Sequence, residues 1–134
     1  MKVNDFMTDS VEFCEKTDSI EHAASLMKER DIGVLPVLEQ GRVIGMVTDR
    51  DLVIRGVAER KNGTVDQVMT HNVISVTADT SAEEAVSLMA KEQVRRLPVI
   101  ENGRVVGMIS LGDLSVQPQS NDQAGDALSD ISQP

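Results

Sequence analysis

The sequence predicts an α/β fold of the α+β kind, with two tandem β-α-β-β-α repeats packed sheet to sheet in pseudo-two-fold symmetry. Three observations predict it. Placing Val65 under Val3 aligns two stretches without a gap, with roughly two positions in five identical over about 50, which marks an internal repeat. Each stretch holds one helical apolar period flanked by short strand-like runs. Each also holds a hairpin signal, Glu39-Gln40-Gly41 and Glu101-Asn102-Gly103, with glycine where φ turns positive. The repeats divide the chain into 1–61 and 62–117, and leave 118–134 as a polar tail with a short amphipathic stretch, Ala124–Ile131.

The elements follow in order. Val3-Asn-Asp-Phe-Met7-Thr8 lies over Val65-Asp-Gln-Val-Met69-Thr70, a polar opening that suits a helical turn. Segments 10–16 and 72–78, with Val11/Phe13 and Val73/Val76, read as short strands. Ser19 and Ser81 cap amphipathic helices over 19–31 and 81–93, and Glu84 completes a capping box with Ser81. Ile20, Ala23, Ala24 and Met27 fall on one helical face, matched by Ala82, Ala85, Val86 and Met89. Strands 34–38 with 42–47, and 96–100 with 104–109, follow as hairpins, and a second helix starts near 49 and 111. A unit of about 55 residues is marginal alone, so the two copies bury their open sheet faces against each other. Arg60-Lys-Asn-Gly63 reads as linker, and Pro118 ends the last helix.

Composition narrows the function. The formal net charge is −9, and no run of Lys or Arg exceeds two residues, which disfavours a nucleic-acid partner. Trp and Tyr are absent and Phe occurs twice, which disfavours a stacking platform for single strands. No apolar run is long enough to cross a bilayer, there is no basic-then-apolar leader, and the single Cys14 fits a reducing compartment. The expectation is a cytoplasmic protein without membrane or nucleic-acid partners.

Candidate chemistry gathers at two turns. Strand 42–47 runs into Thr48-Asp-Arg-Asp51, and strand 104–109 into Ser110-Leu-Gly-Asp113. A hydroxyl three residues before an acid is an ordinary helix start. The same atoms suit a nucleoside phosphate, with free N–H groups and hydroxyl on phosphate and carboxylate on ribose. Arg95 and Arg96 precede Leu97-Pro98-Val99 and suit phosphate, or else are solvated surface residues. The first copy has Gly33 and Val34 there, so the two clefts differ in strength. Met27, Met46, Met89 and Met108 read first as core filler. His22, His71 and Cys14 have no partner at metal or catalytic spacing, so neither metal site nor enzyme activity is expected.

The paired Val-x-x-Phe/Val-Met-Thr openings, Leu-Pro-Val strands, Gly-Arg-Val-x-Gly-Met strands and Thr/Ser-x-x-Asp turns together resemble a CBS domain pair, or Bateman module, over residues 3–116. The chain also resembles small stand-alone bacterial proteins made of one such pair. The resemblance implies a regulatory module with no required cofactor, binding AMP, ADP or ATP in clefts between the repeats, with NAD and S-adenosylmethionine ranked below them. It implies a homodimer of two pairs in a disc, with a further protein partner open. It places Thr48/Asp51 in one cleft and Ser110/Asp113 in the other, Asp on ribose and hydroxyl on phosphate. Arg95 and Arg96 match phosphate-contacting positions, Met46 and Met108 positions near the base, and Gly33 a close backbone approach. A structural or adaptor dimer without physiological nucleotide is the alternative.

Overall fold

Hydroxyl side chains start the helices and left-handed residues stop them. In the computed structural model, which describes residues 1–59 and 63–115, Ser19 Oγ accepts the His22 N–H at 3.0 Å and Ser81 Oγ accepts the Glu84 N–H at 3.1 Å. Asp31 (φ 54°) and Gln93 (φ 56°) end the same two helices in the left-handed region. The expected linker residues 60–62 and the expected tail 118–134, Pro118 and Ala124–Ile131 included, lie outside the described residues. Two compact units divide the chain: Glu12–Val73, and Met1–Val11 with the described chain from Ile74 on.

In the unit Glu12–Val73 the order is β1 (Cys14–Glu15), α1 (Ile20–Arg30), β2 (Val34–Glu39), β3 (Arg42–Thr48) and α2 (Asp49–Asp51). The chain then winds on more widely over Leu52–Val57, where Ala58 N–H reaches back five residues to Val53 O at 2.8 Å. A 3₁₀ turn, Val65–Gln67, follows. β2 is central, parallel to β1 and antiparallel to β3. Pro36 lies just before β1 begins to pair at Cys14↔Val37, so its missing N–H falls beyond that ladder. Gln40 (φ 51°) and Gly41 (φ 81°) close the hairpin as a two-residue turn with both residues left-handed. Cys14, Ile20, Ala23, Met27, Leu35, Val37, Val47, Leu52, Val65, Val68 and Met69 form the core. Full burial of a side chain such as Leu35 is worth about 1.5–3 kcal/mol.

The other unit holds a 3₁₀ turn Val3–Asp5, then α3 (Ala82–Glu92), β4 (Arg96–Glu101), β5 (Arg104–Ser110) and α4 (Leu111–Ser115). β4 and β5 repeat the antiparallel register, and Asn102 (φ 54°) with Gly103 (φ 80°) repeats the turn. Val3, Val76, Ala85, Val86, Met89, Leu97, Val99, Ile109 and Leu114 lie at its centre.

Several expectations are corrected. The strand expected over 10–16 is only Cys14–Glu15, with Phe13 turned outward at 44% exposure. The strand expected over 72–78 is a single parallel bridge, Val76↔Val99, made by Val76 N–H to Pro98 O (3.1 Å) and Ile100 N–H to Val76 O (2.9 Å). Ser81 caps α3 alone; Glu84 does not return the bond. Ala24 is exposed, whereas its counterpart Val86 is buried.

The opening segments do not pack with the elements that follow them. Val3 N–H bonds Thr80 O (2.8 Å), and Thr8 and Met108 exchange backbone bonds of 2.8 and 2.9 Å. Likewise Val65 N–H bonds Asp18 O (2.9 Å), and Thr70 and Met46 exchange bonds of 2.8 and 3.0 Å. Glycine makes each crossing fit. A Cβ on Gly45 would stand 2.8 Å from Thr70 O, and one on Gly107 3.0 Å from Thr8 O. Among the described residues no helix is long and apolar enough to cross a membrane, and no group of three His, Cys, Asp or Glu could hold a metal.

Candidate functional site

Each unit presents one strand-to-helix corner built from a reciprocal capping box. Thr48 Oγ accepts the Asp51 N–H at 3.0 Å while an Asp51 carboxylate oxygen accepts the Thr48 N–H at 3.0 Å. Ser110 and Asp113 repeat this at 3.0 and 3.1 Å. The box fixes the carboxylate beside the hydroxyl, with one carboxylate oxygen used by the backbone and lone pairs to spare on the other.

A backbone hook draws a third position into each corner. Asp49 N–H bonds Gly33 O at 3.0 Å, and Leu111 N–H bonds Arg95 O at 2.8 Å. Val34 pairs across the hairpin with Thr48, and Arg96 with Ser110. Gly33, Thr48 and Asp51 therefore share one corner, while Arg95, Arg96, Ser110 and Asp113 share the other. Met46 and Met108 sit two residues before the hydroxyls, on the same strand face. Both are half-buried and outside the two cores, unlike Met27 and Met89, so the core-filler reading holds for the helix methionines and not for this pair.

The corners differ in three ways that the sequence reading did not reach. First, the N–H groups expected to be free at both helix starts are mostly used. From 48 to 51 every one has an acceptor, since Arg50 N–H bonds the Asp49 carboxylate at 2.8 Å. In the other corner Gly112 N–H meets no acceptor among the described residues. Second, a Cβ on Gly33 would lie 3.3 Å from an Asp49 carboxylate oxygen, whereas the residue beside Arg95 is the buried Leu111. Third, Arg55 reaches Asp51 at 3.9 Å and the Val68 carbonyl at 3.5 Å. The i,i+4 spacing of Asp51 and Arg55 was a readable signal; the approach of Asp49 to Gly33 is tertiary and was not.

Arg95 and Arg96 are exposed and have no ion-pair partner among the described residues. Away from the corners, burial and Asp18 push the Cys14 thiol up to about 11, which keeps it protonated and inert at neutral pH. His22 is exposed near Asp18 (3.8 Å), and His71 is exposed.

The sequence model of the CBS domain matches residues 3–56 and 65–116. The chain is 43% identical over 132 residues to the CBS domain-containing protein YhcV of Bacillus subtilis, spanning 97% of this chain and 94% of that relative. Its fold is similar to the CBS domain pair of protein MJ0100 in complex with 5′-methylthioadenosine and S-adenosyl-L-methionine: TM-score 0.79, 27% identity, 87% of this chain and 94% of that one. It is also similar to CBSX2 in complex with AMP: TM-score 0.79, 25% identity, 90% of this chain and 98% of that one.

Proposed function

We propose, from the premise that this chain belongs to the CBS domain family, that it is a regulatory module sensing an adenine nucleotide or another adenosyl compound at its strand-to-helix corners. The observation that carries the reading is the doubled corner, in which hydroxyl and carboxylate are locked together by the same four atoms in both units. Two relatives of known structure, bound to AMP and to 5′-methylthioadenosine with S-adenosyl-L-methionine, support the ligand class.

In this reading Asp113 accepts hydrogen bonds from the ribose hydroxyls, Ser110, Arg95 and Arg96 hold phosphate, and Met108 lies against the base. Asp51, Thr48 and Met46 play the matching parts in the other unit, with Gly33 allowing close approach. The module works as a homodimer. Val53, Ile54 and Val57 are 55%, 51% and 70% exposed on one helix, beside a groove floored by Met27 and Leu52. Three large aliphatic side chains in water on a chain of charge −9 suit a face covered by a second copy. Ligand that binds one arrangement of that dimer better than another shifts the population, and a partner reads the shift.

Calorimetric titration of the full chain with AMP, ADP, ATP, NAD and S-adenosylmethionine tests the reading. AMP is expected to bind, and Asp113→Ala to weaken it about tenfold or more by removing a charged hydrogen-bond acceptor, with the protein still folded. No heat with any of the five, and no thermal shift, would leave a structural or adaptor dimer instead.

A further inference from the structure

The two corners share a backbone and differ in charge. We propose, resting on the reading above, that they sort ligands by phosphate: the Ser110/Asp113 corner takes the phosphorylated nucleotide, and the Thr48/Asp51 corner takes an adenosyl compound with no 5′-phosphate.

Matched positions make the comparison direct. The hooks Asp49 N–H to Gly33 O and Leu111 N–H to Arg95 O fix residues 33 and 95 at the same place beside the hydroxyl. At that position Arg95 supplies an exposed guanidinium, and the residue its backbone carbonyl holds is the uncharged, buried Leu111. Gly33 carries nothing, and the atom closest to where its side chain would start is a carboxylate oxygen of Asp49, 3.3 Å away. Val34 stands where Arg96 does, across from the hydroxyl. Over five matched positions, one corner has Asp49, Arg50 and Asp51, a net single negative charge. The other has Arg95, Arg96 and Asp113, a net single positive charge.

Arg55 does not reverse this. Its guanidinium lies against Asp51 and the Val68 carbonyl, and the matched residue in the other copy is the uncharged Gln117.

Hydrogen-bond supply points the same way. A phosphate needs donors, and in the Thr48/Asp51 corner the four N–H groups from 48 to 51 already have acceptors inside the protein. Among the described residues the other corner leaves Gly112 N–H without an acceptor and Arg95 and Arg96 without an ion-pair partner, donors that suit an anion. What both corners keep is a fixed carboxylate with spare lone pairs, which recognises the ribose diol common to every adenosyl compound. A neutral or cationic 5′ substituent, such as a thioether or sulfonium, meets no like charge at Asp49. A phosphate does.

The test uses the full chain titrated with AMP and with 5′-methylthioadenosine, as wild type, Asp51→Asn and Asp113→Asn. Asparagine keeps an acceptor for the capping N–H, so the corner stays folded. Asp113→Asn is expected to weaken AMP about tenfold and leave 5′-methylthioadenosine at its other site untouched, and Asp51→Asn to do the reverse. Gly33→Arg combined with Asp49→Leu rebuilds the Arg95/Leu111 pair and is expected to raise AMP stoichiometry from one to two per chain. Equal loss of AMP in both Asn variants, or 5′-methylthioadenosine binding indifferent to Asp51→Asn, overturns the sorting while leaving nucleotide sensing in place. Absence of binding by both ligands also overturns the sorting, and the titration with the five compounds above then decides the sensing reading on its own.

Discussion

Cys14 shows how burial converts a residue into a pH-dependent contribution. Its thiol is fully buried on β1 and is raised from 9.0 to about 11, chiefly because the thiolate would be desolvated and secondarily because Asp18 is near. A folded value above the unfolded one contributes stability that is complete below pH 9 and lost as pH rises through 11. The loss is up to about 3 kcal/mol. Urea unfolding at pH 8 and pH 11 is expected to show a steeper fall for the wild type than for Cys14→Ala, and parallel falls would assign the effect elsewhere. The polarity of single residues was legible in the sequence: Thr48, Asp51, Ser110 and Asp113 were readable as capped turns, and Arg95 and Arg96 as phosphate contacts or solvated surface cations. Asp49 was not, because its importance comes from lying against Gly33, which no spacing rule encodes.

At the level of elements, the helices were the most legible part. Ser19 and Ser81 mark starts, and the apolar period marks the buried face. The first strand of each unit is shorter than its sequence suggests, because two apolar residues such as Val11/Phe13 or Val73/Val76 set no strand length; pairing covers only Cys14–Glu15 beside β2 and Val76 beside β4. The wide winding at Leu52–Val57 left no sequence mark. The glycines of β3 and β5 are the sharpest test of how elements meet. Gly107→Ala puts a methyl 2.6 Å from the Met7 sulfur, which can swing, and 3.0 Å from Thr8 O, which is tied to Met108 and cannot. It is expected to cost about 1–3 kcal/mol in chemical denaturation. Gly112→Ala, whose Cβ would meet only Ser110 Oγ at 3.7 Å, is expected to cost nothing measurable or to stabilise slightly by up to about 1 kcal/mol. Equal losses would show that helix and strand propensity, not the crossing, governs these glycines.

For the whole molecule, the internal repeat gave away the architecture, since duplicated motifs limit the fold to two like units. It did not give away which opening segment joins which core. The proposed dimer is likewise a property of the whole surface: Val57 is 70% exposed and matters only if something covers it. Val57→Glu is expected to shift the species seen by light scattering from dimer to monomer while circular dichroism stays unchanged. A monomeric wild type, or a variant that remains dimeric, would remove this face from the assembly. The exchange of opening segments has a further effect on vectorial synthesis. Everything the Glu12–Val73 unit needs is contiguous and emerges in one stretch, so it can close early at small loop-entropy cost. The other unit needs Val3 and Thr8, which leave the ribosome long before Val76 and Met108 and must wait, unsatisfied, until translation supplies their partners.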